Sequence, residues 1–488
     1  MALKIIGLYK ECMFVYYRIQ LVIMVYFKEA YGAFNMKKRI NLVEGAIFSN
    51  LVKMALPIMG TSFMQMAYNL TDMVWIGFLG SKAVAAVGIA GFYIWMSFAF
   101  ILLAKTGTEI KVSQATGAND EAGAEKFARS GLQMIIGIGV LYSLLLLVFR
   151  YPLIGFFNTQ DLQVEALSRS YLVVIALGMV FSFGNQVFTG IYNGRGDSKS
   201  PFSINGIGLI VNIILDPILI MGLGPFPQMG VMGAALATII AQILVFGVFV
   251  YNIRFKHSLF HQFTFFKKPD YQSLHTIFKM GYPPSLQSGL FTFISMFIAR
   301  LIADYGATPI AVQKVGSQIE AISWMTAGGF SVALGAFVGQ NYGAGQYKRV
   351  LEGYRKAVQV SLILGIANTL LLFFGAKWLF MIFLREPLAI SQGVDYLRIL
   401  ALSQIFMCVE ITSSGAFNGI GRTKPAAITS VFFNLMRIPL AYVLSKYTPL
   451  GLNGIWWAIT ISSVFKGVVI TIWFKKIVRN SPEFYEPK

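Results

Sequence analysis

The chain has 488 residues, of which 56% are hydrophobic and 12% charged, with a net charge of +19. Soluble chains hold about 45–50% apolar and about 25% charged residues, so this composition excludes an ordinary soluble domain. Apolar runs long enough to cross a bilayer recur along the whole length, the pattern of a polytopic membrane protein. The positive charge does not point to nucleic acid, because the cations sit mostly in short loops between apolar runs, where they orient membrane helices.

Residues 1–35 come first. Phe14 to Tyr26 is apolar, too short to span, and interrupted by Arg18. Met36-Lys37-Lys38-Arg39 has the look of a start, so 1–35 is either an upstream extension, not native to the protein, or an interfacial helix; both readings stay open. Twelve spans follow, near 51–79, 82–112, 128–149, 163–192, 200–224, 229–253, 273–304, 309–340, 350–376, 388–417, 424–447 and 452–476. The expected organisation is a first lobe over 36–253 with spans one to six, a basic linker over 254–272, a second lobe over 273–480 with spans seven to twelve, and a tail over 481–488. Basic residues concentrate before the first span and in alternate loops (Lys126, Arg195, Arg254, Lys348, Arg422), which predicts that both termini are cytoplasmic in a multi-pass cell-membrane protein.

The two halves repeat. Lys53, Pro57, Gly80, Gln114 and Gly117 each recur 226 residues later as Lys279, Pro283, Gly306, Gln340 and Gly343. Asn193 matches Asn418 at 225 residues, and Asn212 and Pro217 match Asn434 and Pro439 at 222. Six spans per half give both halves the same orientation, so the lobes are parallel repeats about an axis normal to the membrane. Transporters with such repeats bind substrate between them. The fold class is therefore all-α, with twelve transmembrane helices in two six-helix lobes.

Other chemistry has little support. Cys12 and Cys408 lie far apart, which supports neither a disulfide framework nor a metal site. His257 and His261 sit in a basic loop with no third ligand and read as a solvated face. There is no HExxH, GxSxG or phosphate-cradling loop, so an enzyme is not expected.

Polar residues inside apolar spans are costly and mark function. The first span carries Tyr68, Asn69 and Asp72; the fifth carries Asn212 and Asp216; the sixth carries Thr238. Counted from the span ends, Asp72, Asp216 and Thr238 fall at one depth. Asn212 and Asp216 are four residues apart and share a helix face, as do Tyr68 and Asp72. Such a set is either a proton-sharing carboxylate pair or an oxygen cage for Na⁺ at Asp72, Asn212 and Asp216; a hydrogen-bonded packing cluster is the competing explanation. The repeat places Ile298 opposite Asp72 and Ile438 opposite Asp216, so an ion site belongs to the first lobe alone. In the second lobe Glu320 and Arg437 share a depth and are expected to pair, as a bridge or as a substrate-facing set. Glu410 corresponds to Asn185 at 225 residues, and both are expected to look into the cleft nearer the cytoplasm, where Glu410 either faces a cationic substrate or has a pairing role.

The words MALPIMGTSFMQMAYNLTDMVWIGFLG, NGRGDSKSPFSINGIGLIVNIILDPILIMGLGPFPQMGVMGAALAT and VALGAFVGQNYGAGQ resemble the multidrug and toxic compound extrusion (MATE) family of bacterial type, over residues from about 40 to 478. The resemblance implies a secondary antiporter that exports organic, often cationic compounds in exchange for H⁺ or Na⁺, with no other cofactor, working as a monomer in the bilayer. It also implies that Asp72 is the first-helix carboxylate with Tyr68 as its aromatic partner, Asn212 and Asp216 the fifth-helix pair, and Thr238 the sixth-helix hydroxyl. The seventh-helix carboxylate of some Na⁺-coupled members has no counterpart, since Asp304 lies at a helix end. A flippase for a lipid-linked precursor, from the same wider group, is the alternative.

Overall fold

The computed structural model describes residues 39–159, 161–255, 260, 263–384 and 386–484. Residues 1–35 with Cys12, and His257 and His261, lie outside these. The described chain is helical: α1 Ile47–Gly77, α2 Ser81–Gly117, α3 Glu121–Val148, α4 Leu162–Gly194, α5 Lys199–Met221, α6 Val231–Arg254, α7 Tyr271–Ala303, α8 Ala307–Gly343, α9 Tyr347–Phe383, α10 Pro387–Ala401, α11 Gln404–Gly419, α12 Thr423–Lys446 and α13 Leu452–Arg479, with a short helix Arg150–Gly155 after α3. Eleven of these are long and apolar enough to cross a membrane, and twelve spans result when α10 and α11 count as one.

That tenth span differs from the expected single helix. It bends by 52° at Leu402 and Ser403. No proline or glycine stands there. The Ser403 amide and hydroxyl both donate to Leu400 O, at 3.0 and 2.8 Å, and this tight turn replaces the helical ladder. Elsewhere the helices overrun the expected limits at the glycine-rich ends, as α2 to Gly117 and α8 to Gly343 do.

Local chemistry sets the ends. Asp120, Asp161 and Asp270 cap α3, α4 and α7 with side-chain oxygens that accept orphan backbone amides. Gly80 and Gly306 join α1 to α2 and α7 to α8 with φ of 101° and 104°, a conformation that costs a glycine little. Proline stands inside α1, α5, α7 and α12 at matched positions.

The lobes are built alike. In the first, α1 packs on α5, α5 on α6, α6 on α4 and α4 on α2, a ring in which α1 and α2 scarcely meet. In the second, α7, α12, α13, α11 and α8 make the same ring. The lobes join where α2 packs on α7 and α8, and α8 on α1. Large apolar side chains such as Ile363, Phe374, Trp378 and Ile382 on α9 are exposed, as a surface facing lipid requires.

Candidate functional site

The first-lobe residues converge on the middle of their ring. Asn212 Nδ2 donates to Asp216 Oδ1 at 3.1 Å, as the four-residue spacing on α5 requires. Both side chains are fully buried. From α1, Asp72 comes beside Asp216 and Asn212, and Tyr68 comes beside Asp72 and Thr238 of α6. Thr238 Oγ1 donates to Ala234 O at 3.0 Å. Tyr171 of α4 stands close to both aspartates, a member that span-by-span reading missed. Asn69 does not join: it is exposed, because one residue beyond Tyr68 is 100° around the helix.

The decisive feature is what this cluster leaves over. Tyr68 Oη, Asp72 Oδ1, Asn212 Oδ1 and Asp216 Oδ2 are all buried without a hydrogen-bond partner. Buried polar atoms are nearly always satisfied, so four such oxygens gathered in one place set this cluster apart. Carboxylate, amide and phenolic oxygens suit either H⁺ or a hard cation such as Na⁺. Among the described residues no three His, Cys, Asp or Glu side chains gather as a metal site.

The second lobe has charges of a different kind. Glu320 accepts from Tyr396 Oη at 2.8 Å and from Gln404 Nε2 at 3.1 Å. Arg437 donates to Ser462 and Ser463 Oγ at 2.6 and 3.0 Å. The expected direct bridge between Glu320 and Arg437 is not formed: hydroxyl and amide groups from α10, α11 and α13 reach each of them first. Glu410 pairs instead with Lys466 of α13 at 3.7 Å, both buried. Asn185 makes the matching contact in the first lobe, donating to Gln242 Oε1 at 2.8 Å. Asn185 and Glu410 therefore look into their own helix packing, not the cleft. The site matched to Asp72 is filled by Ile298, Ile302, Ala441, Ile455 and Ala458, a small apolar cluster.

The lobes lock at the end nearest the linker. Gln114 Nε2 donates to Gly419 O at 3.0 Å, and Gln340 Nε2 donates to Gly194 O at 2.8 Å. A Cβ on Gly117 would meet Gln340 O at 1.8 Å, and one on Gly343 would meet Gln114 O at 1.9 Å, so only glycine permits this approach. Arg349 adds bonds to Glu44 and Gly45 O at 2.9 and 2.8 Å.

A family model matches the chain twice, once in each lobe, over residues 57–218 and 283–443; it is MatE. This chain belongs to the MatE family. MatE proteins are membrane transporters of the multidrug efflux group and not enzymes. The chain is 29% identical over 429 residues to the probable multidrug resistance protein NorM of Thermotoga maritima, covering 88% of this chain and 92% of that one. It is 24% identical over 439 residues to the FAD transporter of Shewanella oneidensis, covering 89% of this chain and 95% of that one. A solved multidrug resistance MATE family transporter in an outward-facing conformation shares the fold, with a TM-score of 0.85 at 24% identity over 93% of this chain and 100% of that one.

Proposed function

We propose that this MatE transporter is an antiporter that exports organic cations or amphipathic compounds in exchange for H⁺ or Na⁺. The observation that carries the reading is the contrast between lobes. The contrast lies in the charged groups: Asp72 and Asp216 each keep an unsatisfied buried oxygen, whereas Glu320, Glu410, Arg437 and Lys466 have partners. A site that binds and releases an ion must be incomplete without it. A site that only stabilises need not be.

In this reading the linker end and both termini are cytoplasmic. The Gln114, Gln340 and Arg349 bonds then close the cytoplasmic side, and the lobes rock about the substrate as those bonds break. Ion binding at Asp72 changes the course of α1 at Pro57, where the helix lacks one backbone hydrogen bond and bends most readily. The altered helix narrows the first-lobe cavity and expels substrate. The protein works as a monomer.

A second reading has one observation in its favour. Lys105, Arg437 and Lys466 place three cations inside the bundles, which suits an anionic cargo such as a dinucleotide or a lipid-linked precursor. Each of the three has a carboxylate close by, which favours the first reading. Proteoliposomes loaded with a fluorescent organic cation, with ΔpH and ΔNa⁺ imposed separately, test the choice. One gradient should drive transport; movement driven by neither would favour the flippase.

A further inference from the structure

One pair of charges inside the first lobe has no part in the ion cluster. Lys105 and Glu109 lie one turn apart on α2, on its α4 side, and both are half-buried. Lys105 Nζ is drawn to Gln186 Oε1 of α4 at 2.9 Å. Among the described residues the Glu109 carboxylate has no hydrogen-bond or ion-pair partner; the Lys105 charge acts on it only through space. Gly190 of α4 faces the pair, where a Cβ would stand in ordinary contact with Lys105 Cγ at 3.4 Å and Glu109 Oε2 at 3.6 Å.

The repeat shows that the lobe does not need this charge to pack. The matching second-lobe positions are Ser331 and Gly335. There α8 meets α11 through Ser331 Oγ, which donates to Ile411 O at 2.6 Å, and through Gly335 against Gly415. A carboxylate in a membrane bundle that is neither required for packing nor satisfied in place is a binding group by default.

Its position says what it binds. Glu109 is eight residues from Gly117, about 12 Å along α2. It therefore stands near the linker end, while Asp72 stands near the other. Ser113, one turn beyond it, and Gly194 O, which accepts from Gln340, belong to the lobe closure. When that closure opens, Glu109 lies one turn inside it, next to Ser113.

We infer that Glu109 is the loading carboxylate of the transporter, receiving the positive charge of an organic cation entering from the linker side, with Lys105 as the tethered cation that substrate displaces electrostatically. This rests on the antiporter reading. It adds a substrate group separate from the ion cluster.

Binding of tetraphenylphosphonium and of neutral triphenylphosphine oxide to the purified full-length protein tests it, with thermal melting as the control for folding. Glu109→Gln should weaken tetraphenylphosphonium about tenfold and leave the neutral compound unchanged. Lys105→Met should tighten the cation. Three results overturn the assignment and leave antiport standing: cation binding by Glu109→Gln within twofold of wild type, equal loss of both ligands, or weakening by Lys105→Met as well. Failure of the wild type to bind the cation overturns both.

Discussion

Gln114 and Gln340 make the same bond in opposite directions across the lobe boundary, to Gly419 O at 3.0 Å and to Gly194 O at 2.8 Å. Each glutamine belongs to one lobe and binds the tenth or fourth span of the other. The two bonds are related by the internal repeat. In a bilayer, neutral interhelical bonds of this kind contribute about 0.6–2 kcal/mol each. Two of them can hold a closed state without making it permanent.

Replacing both by alanine should open the linker end. Cysteines introduced there, in a Cys12→Ser, Cys408→Ser background, should label several-fold faster in the double variant than in its parent. Unchanged labelling would show that the glycine contacts alone close the lobes.

Gly343→Leu should act in the same sense as loss of those bonds, and more strongly. Its side chain would meet the Gln114 backbone, so α2 and α8 cannot approach at all. Folding and ligand binding should survive while transport falls at least tenfold, as read by proteoliposome uptake.

The second-lobe charges should matter for stability first. Lys466→Met leaves Glu410 buried and unpaired, which costs about 3 kcal/mol or more. The double variant Lys466→Met with Glu410→Gln should recover most of the lost Tm, as in Asn185 and Gln242 of the first lobe, where a neutral pair fills the matching place.

Asp270 joins the linker to the second lobe. Its carboxylate accepts from the Ser273 side chain and backbone and bridges to Lys126 at 2.9 Å, and these contacts hold its pKa down to about 2. The ordinary value is near 3.9. Because the folded value is the lower, the contribution is complete above the ordinary range and fades as pH falls towards 2. Tm at neutral pH should decrease in the order wild type, Asp270→Asn, Asp270→Ala; in acid the wild type should fall to the Asp270→Asn level, with Asp270→Ala still lowest because it has no cap acceptor.

Much of this architecture was legible before any coordinates. Apolar run length marks spans because the bilayer has a fixed thickness, and the 226-residue spacing of Pro57, Gly80, Gln114 and Gly117 reveals the repeat. The first-lobe cluster was legible too, since Asp72, Asp216 and Thr238 can be levelled by counting from helix ends. Partners on helices distant in sequence were not. Nothing in the spacing joins Glu410 to Lys466, or Glu320 to Tyr396 and Gln404, although a lysine in an apolar span was itself a signal. Lys105 and Glu109 carried that signal as a four-residue pair. The bend at Ser403 was hidden because a serine turn leaves no proline or glycine behind. Asn69 misled because adjacency in sequence is not adjacency on a helix.

In the proposed exchange cycle the orphan oxygens around Asp72 and Asp216 hold the coupling ion. Gradient-driven export by Asp72→Asn in proteoliposomes tests it most directly, with ΔpH and ΔNa⁺ imposed in turn and substrate exchange without a gradient as the control. Exchange should persist, and neither gradient should drive net export. Export still driven by either gradient at the wild-type rate would contradict it.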